Sequence, residues 1–143
     1  MRVSELRIGE FLAALGERTP APASGAATAV TAAFAAALVE LAARFAEDEA
    51  AVMRSKALGA RLTRLADEDA EAYAAFMATK TDEARHSIIE VPEQIAASAD
   101  EVARLADSMR TKLTSSVAGD AEAAGELSRA AARVARRLAQ VNR

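Results

Sequence analysis

The 143-residue chain has no cysteine, no tryptophan and a single histidine. Disulfides and thiolate metal sites are thereby excluded, and a histidine metal cluster cannot be assembled. Six glycines and three prolines leave few places to turn, which favours long helices over many short ones. Strand formers never alternate over a useful length, so no sheet is expected. Basic charge is not in excess: the formal net charge is −3, which argues against a nucleic-acid partner. The opening residues Met1-Arg2-Val3-Ser4-Glu5 lack the basic-then-apolar pattern of a signal peptide. One charge-free run, Thr19 to Val39, has the length of a membrane span. It opens with two prolines, is mostly Ala and Thr, and is followed at once by Glu40 and Arg44. The run reads as a buried helix of a soluble protein, with no membrane partner and a cytoplasmic address expected.

What the chain does have is alanine. It supplies 40 residues of a 52% hydrophobic composition that is only 3% aromatic, and it is the best helix former. The length suits one domain, residues 1–143, with a single core. The expected fold is all-α: an up-and-down bundle of about five helices round a buried Ala-rich helix. A short first helix covers Ile8 to Gly16. The segment ERTPAPAS (Glu17 to Ser24) is a loop by its two prolines, and Ser24 is placed to cap the next helix. That helix, Gly25 to Phe45, carries Val30, Phe34, Leu38, Leu41 and Phe45 at steps of three and four, with alanine at most other positions. A helix apolar on all faces is expected to be buried on all sides. A chain this small has little material to surround it, which points to a dimer.

A third helix is expected over Ala50 to Thr79, and a fourth from Asp82 to about Leu113 with a kink at Pro92. Thr114 to Gly119 forms a connection. A last helix, Asp120 to Val141, carries Leu127, Ala131, Val134, Leu138 and Val141 as its apolar stripe. On the third helix, stepping from Leu58, Leu62 and Leu65 lands on Asp69 before reaching Ala72, Tyr73 and Phe76. Asp69 therefore sits on the apolar seam, whereas Asp67, Glu68 and Glu71 fall about 100° or more away and belong to solvent. A carboxylate on a buried face must be paired, protonated or set in a pocket. The last two raise its pKa towards the range useful for acid–base work. The alternative is a structural ion pair or a carboxylate at the seam's wet edge.

Two further features bear on binding. The stiff loop Thr19 to Gly25 runs directly into a helix N-terminus, whose free N–H groups favour an anion; an ordinary interhelical loop would look the same. Arg129, Arg133, Arg136 and Arg137 share a face of the last helix, either to bind an acidic ligand or to complement the helix C-terminus. His86 reads as a surface residue. No phosphate-binding glycine motif, nucleophile elbow or metal signature is present.

The stretch Phe11 to Arg44, FLAALGERTPAPASGAATAVTAAFAAALVELAAR, resembles the N-terminal signature of the cyclodeaminase/cyclohydrolase family. That family includes the C-terminal domain of formiminotransferase-cyclodeaminase and bacterial methenyltetrahydrofolate cyclohydrolases. Its pattern is a Phe-Leu helix, a Pro-x-Pro-Gly-Gly-Gly loop and an Ala-rich helix ending near Glu-Met-Val. DEDAEAYAAFM (Asp67 to Met77) is similar to the family's Asp-x-x-Ala-Tyr/Phe helix. Val91-Pro92 matches a Val-Pro at a helix kink, Asp120 an acidic residue opening the last shared helix, and Val141-Asn142 the end of an Asn-Val-x-x-Asn element. The sequence departs from the pattern at Ala23 and Ser24, which replace two glycines, at Leu41-Ala42 for Met-Val, and at Leu138 for the first Asn. Family members usually continue into further helical structure where this chain stops.

The resemblance implies an all-helical homodimer acting on the methenyl or formimino group of a tetrahydrofolate derivative, as cyclohydrolase or cyclodeaminase. The folate is the substrate, and no separate cofactor or metal is implied. Asp69 maps to the catalytic acid, and Pro20, Pro22, Ser24, Gly25, Tyr73, Asp120 and Asn142 to substrate binding. Arg44, Lys56 or the C-terminal arginines would attract the folate's glutamate tail. Two other readings stand beside this one: a folate-binding or assembly protein of the same fold that has lost catalysis, and an unrelated helical interaction module that associates through its Ala-rich helix.

Overall fold

In the computed structural model, which describes residues 2–114 and 116–143, the described residues form a 3₁₀ turn, Val3–Glu5, and five α-helices. The helices are α1 (Ile8–Gly16), α2 (Ser24–Phe45), α3 (Glu49–Thr79), α4 (Asp82–Lys112) and α5 (Val117–Asn142). Each boundary falls within three residues of the position read from the sequence. Of the connection expected over Thr114 to Gly119, Ser115 lies outside the described residues, and α5 begins three residues earlier than expected.

Local chemistry sets most of the ends. Asp48 caps α3 by accepting from the Ala51 N–H at 3.0 Å, and Lys112 of α4 donates to the same carboxylate at 2.7 Å. Thr81 caps α4 through the Ala84 N–H at 3.1 Å. Glu47 and Lys80 turn the chain after α2 and α3 with φ of 55° and 53°, a left-handed conformation that non-glycine residues adopt at some cost. Ser24 does not cap α2. It is the first helical residue, the cap position is Ala23, and no side chain binds the first N–H groups.

α2 packs against α3, α4 and α5, with a face that is almost pure alanine: Ala26, Ala29, Ala32, Ala35, Ala36, Val39, Ala42 and Ala43 are all buried. The volume on the other side of the contact comes from its neighbours, chiefly Leu58, Leu62, Ile95, Val102 and Met109. Small residues let the axes approach closely; Gly59 of α3, for instance, sits opposite the Ala36 methyl. The same logic governs α5, which buries Ala121, Ala124, Ala131, Ala132, Ala135 and Ala139. Ser55 and Ser128 are buried within this core and return their hydroxyls to carbonyls of their own helices, at 2.8 Å and 2.6 Å.

The expected stripes of larger residues therefore face the other way. Phe34, Leu41 and Phe45 of α2 are exposed, as are Leu127, Val134 and Val141 of α5. Alanine lines the interior face, where small side chains allow close helix approach and the neighbouring helices supply the larger residues. Within one chain α2 is buried on one side only. It is the one helix among the described residues long and apolar enough to cross a membrane, and half of that apolar stretch is buried inside the bundle.

Asp67 is a second departure. It is buried and holds the N-terminal turn, accepting from the Ser4 N–H at 2.9 Å and from the Ser4 hydroxyl at 2.6 Å. The helical wheel placed it in solvent because the wheel does not include the chain segment that returns to cover it. Glu68 and Glu71 are exposed, as expected.

Candidate active site

α3, the loop before α2, Pro92 within α4 and the end of α5 line an open pocket of about 410 Å³. Asp69, Tyr73 and Met77 form its α3 wall, at helical steps of four. Thr19, Pro20, Ala21, Ala23, Ser24 and Gly25 form the loop wall. Pro92 of α4 and Leu138, Val141 and Asn142 of α5 close it.

Asp69 is partly buried, at the edge of the seam that water still reaches, and it has no hydrogen-bond or ion-pair partner within the described residues. Burial raises its carboxyl from the ordinary 3.8 to about 6, since removal from water disfavours the charged form. The structural ion pair considered for this residue is absent. Gly25 explains how the carboxylate is accommodated: a β-carbon at that position would overlap Asp69's carboxyl group. The first turn of α2, whose cap position Ala23 offers no side-chain cap, lines the same pocket as this raised carboxyl.

Ala23 and Ser24, which stand where the family pattern has glycines, do not need the left-handed backbone that favours glycine. No described non-glycine residue of the loop has positive φ, and Gly25 does not either. Of the glycines in the family pattern, this chain keeps the one whose missing β-carbon makes room for the acid.

The other candidate residues divide. Pro20, Ser24, Gly25, Tyr73 and Asn142 line the cavity with Asp69. Pro22, which follows a cis peptide bond, turns to the far side of the loop, beside Asp67, Ala70 and Ala74. Asp120 lies 22 residues before Asn142 on the same helix, about 33 Å along its axis, and does not reach this cavity within one chain. Asn142 spends its amide on the protein: Nδ2 donates to the Ile88 carbonyl at 2.7 Å.

None of the cations expected to draw an anionic tail lines this pocket. Arg44 pairs with Glu40 at 2.7 Å at the opposite end of α2. Lys56 lies beside Ala33, Ala37 and Glu40. Arg129 is held by Asp107 and Glu126, and Arg136 by Asp100, so half of the arginine face is tied into α4 and its own helix. Two cations that the sequence reading missed stand closer. Lys80 and Arg85 lie over the Phe76 ring, at 4.6 Å and 5.0 Å from its centre. Lys80 Nζ is 3.3 Å from Met77 Sδ, and Arg85 Nη1 donates to the Asn142 carbonyl at 3.5 Å. Both thus touch cavity residues, and neither has a carboxylate partner among the described residues. Phe76 at four residues before Lys80 was the available signal; Arg85 comes from the next helix and leaves none. Among the described residues no group of three or more metal-ligating side chains occurs.

A sequence profile described as formiminotransferase-cyclodeaminase matches residues 7–143. The chain belongs to that family. The fold agrees: the crystal structure of formiminotetrahydrofolate cyclodeaminase from Thermotoga maritima superposes with a TM-score of 0.92 at 24% sequence identity, covering 98% of this chain and 79% of that one. A search of curated protein sequences gives no match. Membership removes the reading of an unrelated interaction module.

Proposed function

We propose that this protein acts on the one-carbon bridge of a tetrahydrofolate derivative, as a cyclodeaminase or a cyclohydrolase, with Asp69 as its acid–base group. The observation that carries this reading is a partly buried carboxyl without a protein partner, raised to about 6, in a pocket that also contains the first turn of α2. A pKa near 6 leaves both protonation states populated close to neutral pH, which an acid–base catalyst requires.

In the deaminase direction, the second folate nitrogen attacks the formimino carbon, and the carbon–nitrogen bond to the departing amine breaks. Protonated Asp69 delivers the proton with which ammonia leaves. In the hydrolase direction, ionised Asp69 accepts a proton from the water that attacks the cationic methenyl carbon; the carbon–oxygen adduct then collapses to a formyl group as one carbon–nitrogen bond breaks, and the departing nitrogen takes the proton from Asp69. The side chains of Tyr73, Pro20 and Leu138 supply flat and apolar walls for the fused ring, and Lys80 and Arg85 meet the carboxylates at its other end. Neither direction draws on a cofactor.

A homodimer is part of this proposal. Ile8, Leu12, Phe34, Leu41 and Phe45 are exposed large apolar residues on the α1–α2 side, and the same side holds an apolar hollow of about 480 Å³ lined by Leu12, Leu15, Val30 and Phe34. A second copy is the occupant that the family resemblance implies for such a patch. The address is cytoplasmic.

The other reading is a folate-binding or assembly protein of the same fold without turnover. Leu138 favours it, because this apolar side chain lines the cavity where the family pattern places an Asn. Absorbance of methenyltetrahydrofolate, with the spontaneous rate subtracted, decides between them. Accelerated loss that disappears in Asp69→Asn supports the enzyme. Saturable folate binding with no acceleration in either direction selects the binding protein.

A further inference from the structure

We infer that Asn142 is a positioning residue: its side-chain amide replaces the backbone N–H that Pro92 lacks, and thereby fixes the wall of the Asp69 cavity.

Proline inside a helix leaves the carbonyl four residues earlier without its donor. In α4 that carbonyl belongs to Ile88. Ile88, Val91 and Pro92 are all buried, so water is a poor substitute. Asn142 fills the gap from another helix, Nδ2 donating at 2.7 Å. The same residue's backbone carbonyl accepts from Arg85 at 3.5 Å, so the end of α5 is held to α4 at two points. A helix terminus frays unless it is tied down. Here the tied turn contains Leu138, Val141 and Asn142, and with Pro92 these make one side of the cavity. Proline and asparagine thus work as a pair. The proline leaves an acceptor without its helical donor, and the asparagine that satisfies it sets where the last turn of α5 stands.

The inference rests on the proposed role of the cavity, but its test does not need turnover. Tyr73 is the only tyrosine of a chain without tryptophan and lines the cavity, so tyrosine fluorescence reports on this site alone. The Asp69 carboxyl, followed by carbon NMR, reports on how well the wall excludes water. Asn142→Leu keeps the size and removes the donor. In this variant the Asp69 midpoint should fall from about 6 towards its ordinary value, Tyr73 should become more accessible to a soluble quencher, and 5-formyltetrahydrofolate should bind about tenfold more weakly or worse. Pro92→Ala restores a backbone N–H for Ile88 and should rescue the Asn142→Leu variant. In the Pro92→Ala background the asparagine change should have little effect on any readout. A lower thermal midpoint with an unchanged Asp69 titration overturns the inference, as does failure of Pro92→Ala to rescue. If Asn142→Leu alone does not fold, comparison of Pro92→Ala with and without the asparagine decides: a large remaining effect there overturns it. Absence of folate binding in the wild type removes the proposed function and leaves the titration and quenching arms intact.

Discussion

The Asp69 carboxyl group occupies the space that a β-carbon on Gly25 would need. This contact joins the middle of α3 to the first turn of α2, and it makes Gly25 irreplaceable for a reason unrelated to backbone conformation, since its φ is not positive. Gly25→Ala should push Asp69 out of its position. Such overpacking costs typically about 1–3 kcal/mol, read as a lower midpoint in thermal or urea unfolding. Folate turnover should fall about 10²-fold, because the acid no longer meets the substrate in register. Retained activity in a stably folded Gly25→Ala variant would show that the reacting group is elsewhere.

The loop ahead of it gives the opposite expectation. Because Ala23 and Ser24 sit in conformations open to any residue, restoring the family's glycines at both positions should not improve folate affinity. The double variant should lose about 1 kcal/mol of stability, since glycine enlarges the unfolded ensemble. Calorimetric titration with 5-formyltetrahydrofolate beside a thermal melt checks both halves. A large gain in affinity would mean that the ligand needs a loop shape these side chains prevent.

Helix positions were legible in this sequence because alanine and proline act locally, although the cap expected at Ser24 does not form, and Asp69 was legible because it breaks an otherwise apolar step. Which face of α2 is buried was not. Reading burial from side-chain size selected Val30, Phe34, Leu38, Leu41 and Phe45, whereas the bundle buries the alanines and leaves Phe34, Leu41 and Phe45 exposed. In an alanine-rich helix both faces are apolar, and periodicity cannot say which meets the rest of its own chain. Asp67, Lys80 and Arg85 were missed for a related reason: each owes its surroundings to a segment from elsewhere, the Ser4 turn for Asp67 and the α3–α4 corner for the two cations. The role of Asn142 required two distant residues to be seen together, its own amide and the carbonyl that Pro92 strands.

The two faces of α2 separate association from folding. Ala36 is buried against α3, so Ala36→Glu should unfold the chain, an unpaired buried charge costing several kcal/mol in rough terms. Phe34 is 52% exposed in a single chain, so Phe34→Glu should leave the helical circular dichroism intact and convert a dimer into monomers. Light scattering at micromolar concentration reads the difference. A wild-type monomer, or a Phe34→Glu variant that stays dimeric, would remove this face from the interface.

Asp69 itself makes the sharpest demand, because its effects on stability and on catalysis have separate signatures. Its pKa is raised in the folded state, from 3.8 to about 6. Below about pH 4 the carboxyl is protonated in both states and has no linkage effect. Between about 4 and 6 the unfolded chain ionises first, so the folded state binds more protons and stability falls as pH rises. Above about 6 both states are ionised and the penalty is constant, on the order of 2 kcal/mol after allowance for solvent at the group's exposed edge. Asp69→Asn should therefore stabilise the protein at pH 7 and flatten that part of the stability profile, while turnover falls about 10²-fold or more through loss of the proton carrier. Glu71→Gln is the control: exposed and two residues away, it should change neither. Urea unfolding from pH 3.5 to 8, with initial rates for all three proteins, tests both signatures. A more stable Asp69→Asn variant with full turnover would leave the raised carboxyl intact as an observation and remove it from the chemistry. A stability gain without the change in slope would contradict the titration on which the catalytic reading depends.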